Sequence, residues 1–504
     1  MTDTKHPPCP SPFNLAAYVL QAGSQLGDKP ALEVLGQGAQ TWSYGEVIGA
    51  VRGVASGLLQ SGLSAGDVVL LRLGNTADFP IAYLGAIAAG MIAVPTSSAL
   101  TTSEITKMAQ SISPAAVLQD ASIAAPELVD TQVISLQTLR SFHALPPADW
   151  HMGDPERPAY IVFTSGTSGT ARGVVHAHRA IWARQMMFKD WYDLRSEDRL
   201  LHAGAFNWTF TLGTGLMDPW TMGATALIPA EGTPPDDLPH LLAQHDASLF
   251  AAAPGVFRKI LRSEMPPLPH LRHALSAGEK MVPALHEAWH SATGLRVYEA
   301  FGMSECSTFI SSSPDRRVDP SALGHPQRGR RVALLDGDGL PAAQGDLGTI
   351  AIHASDAGLM LGYFGAEAES KARFQGEWFL TGDLGREDDQ GAIHYEGRAD
   401  DMMNAGGFRL SPIEVEREFT GAHGITQCAA IEVTLKPGTQ VIALCYTAES
   451  AVQQSTLEAL ATQRLARYKQ PRIYHHSDTL PTSANGKLLR RVLRSQIEAH
   501  YGQA

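Results

Sequence analysis

The chain has 504 residues, 44% hydrophobic and 18% charged, with a formal net charge of −12. That length exceeds one ordinary core and implies at least two domains. The composition excludes a disordered chain, and the acidic balance excludes a nucleic-acid binder, whose electrostatic footprint is basic.

The first twelve residues, MTDTKHPPCPSP, lack a basic segment followed by an apolar core, so no secretory signal is read and a cytoplasmic location is expected. Residues 43–60 carry a helical apolar pattern and 68–73 an apolar strand-like run. The weakly charged stretch 79–95 contains Pro80, Gly85 and Gly90 and is short for a membrane span. It reads as a buried helix followed by a strand at 91–94. This alternation predicts α/β architecture. Cys9, Cys306, Cys428 and Cys445 are too few and too scattered for a disulfide framework or a zinc cluster, so reduced thiols are expected.

Residues 163–173 read FTSGTSGTARG after the apolar run Tyr160, Ile161 and Val162. Glycines let backbone amides approach a ligand, and the hydroxyls of Thr164, Ser165, Thr167, Ser168 and Thr170 donate without charge. With Gly166 and Gly169 for backbone freedom and Arg172 as the cation, the segment suits a polyphosphate, although such loops are often only flexible turns. It is not a Walker loop, because the GxxxxGK[ST] order is absent.

Residues 202–213 place Phe206, Trp208 and Phe210 at alternate positions. In an extended stretch they would line one side of an apolar pocket. Neither this segment nor 276–279 holds an arginine or lysine to pair a second carboxylate. Residues 286–290 spell HExxH, His286, Glu287 and His290, the helical signature of a zinc hydrolase. Against that reading, the segment opens at Pro283 and ends at Gly294, and Leu285, Ala288, Trp289 and Ala292 form an ordinary packed stripe. Both imidazoles would then face solvent, and no third ligand follows at a recognisable spacing. Residues 331–396 are rich in Gly-Asp turns and read as β structure. From Asp401 onward, 11 basic residues stand against 9 acidic ones, so the C-terminal part is near neutral beside an acidic body.

Four further motifs follow the hydroxyl-rich loop in order: EAFGMSE at 299–305, WFLTGD at 378–383, GRADD at 397–401 and PTSANGK at 481–487. Each is weak alone. As an ordered set they resemble the adenylate-forming superfamily, and the look of residues 202–220 is similar to benzoate-CoA ligases and to short- and medium-chain acyl-CoA synthetases.

The resemblance implies an α/β fold. A large N-terminal domain of α/β subdomains with a β-rich subdomain would span 1–399, and a small mobile α+β domain would span 400–504 with Asp400 as hinge. It implies Lys487 as the adenylation lysine, Ser304 on the α-phosphate and Glu305 holding Mg2+. ATP would further meet the 164–172 loop, Gly278, Glu299, Phe301 over adenine, Gly302, Asp383 on the ribose and Arg398 beside it. The acyl pocket would comprise Phe206, Trp208, Phe210, Ala277 and Ala300, and Gly406 and Gly407 would line the path of coenzyme A. Arg172, Ser304 and Phe301 stand where lysine, threonine and tyrosine are usual, and residues 429–446 are shorter than the family's usual strand-loop-strand. The implied reaction converts an apolar monocarboxylic acid, aromatic or short-to-medium aliphatic, with ATP to acyl-AMP and then with CoA to acyl-CoA. A separate carrier protein is the alternative acceptor. The expected partners are the acid and CoA, with no nucleic acid and no membrane span, and a homodimer is compatible with the chain.

Overall fold

The computed structural model describes residues 7–165, 171–399, 401–405, 408–436, 439–482 and 488–501. The chain divides into two compact units, Met1–Val332 with Ile352–Phe379, and Ala333–Ala351 with Leu380–Ala504.

In the first unit the helix Tyr44–Gln60 starts where its sequence dictates. Ser43 Oγ accepts from the Glu46 amide, and the Glu46 carboxylate accepts from the Ser43 amide, closing a capping box. Its buried face, Val47, Val51, Val54 and Leu58, belongs to one apolar core with the helix Asp78–Ala88. That second helix is buried along its whole length and leads into the strand Ile92–Pro95. No helix among the described residues is long and apolar enough to cross a membrane.

Two sheets organise this unit. One runs in the order Gly362–Tyr363, Ala171–Ala177, Pro158–Ser165, Ile92–Pro95, Val68–Arg72, Ala116–Gln119, Gln132–Ser135. The other runs Ala322–Pro326, Ser307–Ser311, Val297–Met303, His273–Ala277, Leu249–Ala252, Arg199–His202, Thr225–Pro229, Pro30–Leu35, Gln40–Ser43. Its parallel centre is built of apolar runs, as strands covered on both faces require. Registers align His202, Ala251, Leu275 and Tyr298 in one row, and Ala252, Ser276 and Glu299 in the next. Adjacent rows project to opposite faces. Leu249, Ala251, Leu275, Ala277, Tyr298 and Ala300 therefore pack with Trp191 and Phe210, whereas Phe250, Ala252 and Val297 pack with Phe257 and Trp289.

The second unit holds the strand Trp378–Glu387 from Leu380 onward and the strand Ile393–Arg398, which are antiparallel neighbours with Asp383 opposite Arg398. It also holds a three-stranded sheet of Gln427–Lys436, Thr439–Thr447 and Ile473–His476. The helices Pro412–Phe419 and Gln454–Arg464 contribute Val415, Phe419, Leu457 and Leu460 to one small core, and Leu493 and Ile497 of Arg490–Tyr501 join another on the opposite sheet face. All four cysteines are free thiols.

Candidate active site

The hydroxyl-rich segment joins two antiparallel strands, Pro158–Ser165 and Ala171–Ala177, with Thr164 opposite Arg172. Gly166, Thr167, Ser168, Gly169 and Thr170 lie outside the described residues, and Ser165 is described by its backbone alone. Arg172 pairs with Glu369 at 2.8 Å and lies 5.5 Å over the Tyr363 ring. Tyr363 donates its phenol hydrogen to Glu305 Oε1 at 2.8 Å. The guanidinium that follows the hydroxyl-rich segment and the Glu305 carboxylate thus meet on one tyrosine.

The turn carrying Ser304 and Glu305 is fixed from two sides. The Cys306 amide donates to the Met303 carbonyl at 3.2 Å, and a Cβ at Gly302 would lie 2.2 Å from the Ser307 carbonyl oxygen, so only glycine permits the chain to fold back there. His176, on the strand after the hydroxyl-rich segment, sets its Nε2 2.7 Å from the Ser304 carbonyl. Burial pushes its pKa down to about 4, so the ring is neutral and donates that bond. Glu305 itself is 9% exposed. Among the described residues no group of three or more His, Cys, Asp or Glu could hold a metal ion. A single buried carboxylate still fits Mg2+, which keeps water and phosphate oxygens as most of its ligands.

Glu299 is held from three sides. It accepts from Lys280, from His286 Nε2 at 3.0 Å and from the Met281 amide at 2.7 Å. Burial alone would raise its pKa, but Lys280 and His286 hold it below the usual carboxylate range. This contact corrects the reading of the HExxH segment. The helix Pro283–Thr293 is present and ends at Gly294 with φ 73°. His286, however, is turned inward with 12% of its side chain exposed, and of the two imidazoles only that of His290 is exposed. The nitrogen a metal would need is already bonded to Glu299. A cavity of about 460 Å³ runs along Glu299, bordered by His286, Tyr298, Ser312, Pro320 and Ala322. Phe301, two residues on, meets Phe309 edge-on at 5.5 Å.

The segment expected to be extended is not. The Trp208 amide donates to the Ala205 carbonyl at 3.1 Å, and a wide helical turn runs from Thr211 to Met217. The three aromatics therefore diverge. Phe206 stacks on Phe79 at 6.1 Å in the core of the other sheet's helices. Trp208 and Phe210 stay together, edge to face at 5.1 Å, on the sheet face that also carries Ala277 and Ala300. Gly278 has φ 100°, a conformation that calls for glycine, and a Cβ there would lie 3.3 Å from the Trp208 ring, a tight contact. The buried cation near this wall, Arg184, is bidentate to Asp218 at 2.8 and 2.6 Å.

In the second unit Asp383 is 7% exposed. It accepts from the Tyr395 phenol at 3.0 Å and from Arg398 at 3.3 Å. Arg398 also donates to the Thr381 carbonyl at 3.0 Å. Asp400, Gly406, Gly407 and Lys487 lie outside the described residues. On either side of the Lys487 segment, Thr482 and Leu488 form an antiparallel bridge, and Arg490 is anchored on Glu416 at 2.6 Å.

Sequence motifs alone did not reveal Lys280, His176, Tyr363 or Tyr395. Each acts from a neighbouring strand or loop remote in sequence, and Lys280 alone had a local signal, as the residue directly after Glu279.

The chain belongs to the AMP-binding enzyme family, whose model matches residues 20–364. It is 27% identical over 500 residues to a 3-hydroxybenzoate–CoA ligase of Aromatoleum sp. (strain CIB), covering 94% of each chain. It is 26% identical to the human mitochondrial acyl-coenzyme A synthetase ACSM2A, covering 99% of this chain and 93% of that one. Among solved structures, a benzoate CoA ligase from Burkholderia xenovorans LB400 superposes with a TM-score of 0.85 at 26% identity, covering 96% of this chain and 100% of that one.

Proposed function

We propose that this chain is an AMP-forming acid–CoA ligase: it joins an apolar monocarboxylic acid to AMP with release of pyrophosphate, then passes the acyl group to CoA. The observation that carries this reading is the link from Arg172 through Tyr363 to Glu305, with His176 fixing the adjoining Ser304 backbone. A buried carboxylate beside a guanidinium and a hydroxyl-rich hairpin is what Mg2+ and a triphosphate require.

In this reading Glu305 holds Mg2+, which supplies charge neutralisation on the phosphates when bound. Ser304 hydrogen-bonds the α-phosphate, and Phe301 and Gly278 flank adenine with the cavity along Glu299 taking the base edge. Asp383 accepts from both ribose hydroxyls, with Arg398 and Tyr395 holding it oriented. Lys487 brings the acyl carboxylate to the α-phosphate, where two anions repel without a cation between them. Trp208, Phe210, Ala277 and Ala300 bound the acid, and with Arg184 committed to Asp218 a second carboxylate finds no partner there. Gly406 and Gly407 leave room for the pantetheine thiol, and Asp400 is the hinge about which the residues beyond it turn between the two half-reactions. CoA is preferred over a carrier protein because the long relatives above are CoA ligases by name. The protein works in the cytoplasm, alone or as a homodimer.

The test is acid-dependent pyrophosphate release across benzoates and C3 to C10 aliphatic acids, with and without CoA. Release with one class of acid, giving AMP and acyl-CoA, supports the reading. No release with any acid contradicts it.

A further inference from the structure

One buried imidazole in the acyl region has a nitrogen that no described residue satisfies. His202 closes the strand Arg199–His202 and is 0% exposed. Its Nδ1 lies 3.3 Å from Thr211 Oγ1, and its Nε2 has no hydrogen-bond partner among the described residues. Leaving a polar group buried and unpaired is costly, so such groups call for an explanation.

The surroundings show that the fold makes room for this ring. A Cβ at Gly204 would lie 2.3 Å from Thr211 Oγ1 and 2.9 Å from the His202 ring, and one at Gly215 would lie 2.7 Å from His202 Cβ. Phe210 meets the imidazole edge-on at 4.4 Å and Trp208 at 6.3 Å. These are the two aromatics that share a sheet face with Ala277 and Ala300. In register His202 pairs with Ala251, and Ala251 with Leu275. It therefore sits on that same face, two residues deeper than Ala277 and Ala300, about 7 Å at a rise of ~3.3 Å per residue. That depth corresponds to the far end of a benzoate ring or of a six-carbon chain whose carboxylate lies at the strand ends.

The tautomer follows from the neighbours. If the Thr211 hydroxyl donates to Nδ1, one group is left over, an Nε2–H. If Nδ1–H donates instead, both Nε2 and the threonine hydrogen are left over. The first arrangement leaves fewer orphans, so Nε2 is a donor seeking an acceptor. Burial pushes the pKa of this ring down to about 3, so it is a neutral donor and does not call for an anion.

We infer that His202 is a specificity-determining residue that donates through Nε2 to an uncharged oxygen substituent at the distal end of the acid, so that the substrate class is a hydroxy- or oxo-substituted monocarboxylic acid. This rests on the ligase reading and refines its substrate.

The experiment compares kcat/KM in matched hydroxyl and methyl pairs: 3- and 4-hydroxybenzoate against 3- and 4-methylbenzoate, and 6-hydroxyhexanoate against heptanoate. The wild-type enzyme is expected to favour the hydroxyl member of one pair by on the order of 10- to 100-fold. His202→Leu is expected to abolish or reverse that preference while still activating the methyl acid. His202→Gln, whose amide can donate from a similar position, is expected to keep part of it. A wild-type enzyme that activates the methyl acids as well as the hydroxyl acids overturns the inference and leaves the ligase reading intact. So does a His202→Leu enzyme with an unchanged ratio. Absence of activation for every acid overturns both.

Discussion

At the residue scale, motif positions were legible and their partners were not. Asp383 and Glu305 could be picked out because they sit in short, ordered motifs. Tyr395 and Tyr363, which bond those carboxylates at 3.0 and 2.8 Å, approach from other strands, and pairing register is not written in a local pattern. Tyr395 gives a direct test. Tyr395→Phe removes a hydrogen bond to a charged acceptor, worth about 1.5–3 kcal/mol. Steady-state kinetics are expected to show KM for ATP raised roughly tenfold, with KM for the acid unchanged; an unchanged KM for ATP would dissociate Asp383 from the nucleotide. The thiols offer a second test. Burial pushes Cys9, Cys428 and Cys445 up to about 12, and Cys306 well above the usual thiol range. Thiolate is the reactive form, so the native protein is expected to react with a disulfide reagent at pH 8 at none of its four cysteines, and at all four once denatured. Rapid reaction of the native protein would contradict these environments.

Buried histidines set a pH response. Burial pushes His176 and His273 down to about 4, and His178 and His202 down to about 3. Unfolded imidazoles titrate near 6.5, so below that value the unfolded chain binds more protons than the folded one. Stability from these groups is complete well above pH ~6.5 and falls as pH drops through that value toward 4, by roughly 1.4 kcal/mol per histidine at pH 5.5. The thermal midpoint of the first unit is expected to drop between pH 7.5 and 5.5. A flat profile across that range would contradict their burial as neutral rings.

At the element scale, structure was legible where local chemistry and tertiary packing agree. Ser43 and Glu46 announce the helix Tyr44–Gln60, and the Pro283 and Gly294 punctuation bounds the helix Pro283–Thr293. Residues 202–213 were misread because alternation of aromatics has two sources. Here the wide turn Thr211–Met217 lets Gly213 pass close to Arg184, whose guanidinium lies 2.3 Å from where a Cβ would be. That tertiary demand overrides a strand pattern. The helix pair in the first unit tests the packing. At Gly85 an added Cβ would lie 2.5 Å from Val54, whereas at the exposed Gly49 it would meet nothing within 4 Å. Gly85→Ala is expected to destabilise by about 1–3 kcal/mol through overpacking, and Gly49→Ala to stabilise by about 0.5–1 kcal/mol through helix propensity. Urea unfolding followed by circular dichroism reads both. Equal effects would show that the two helices do not pack as described.

At the scale of the whole molecule, the length and the α/β alternation foretold more than one compact unit, and the family match agrees with the fold. Where the units part was less legible. The stretches Ala333–Ala351 and Leu380–Ala504 belong to the second unit, because strand pairing gathers segments that are far apart in sequence. In the proposed reaction Lys487 serves only the first half. Lys487→Ala is expected to lose acid-dependent pyrophosphate release by at least about 100-fold, in line with loss of a charge-stabilising group, while still converting supplied acyl-AMP and CoA to acyl-CoA. Equal loss of both halves would contradict that division.

The most direct measurement is product analysis of one turnover mixture containing ATP, Mg2+, CoA and the acid that best promotes pyrophosphate release. AMP and acyl-CoA are expected in equal amounts, with acyl-AMP accumulating when CoA is left out. ADP in place of AMP, or AMP without a thioester, would contradict it.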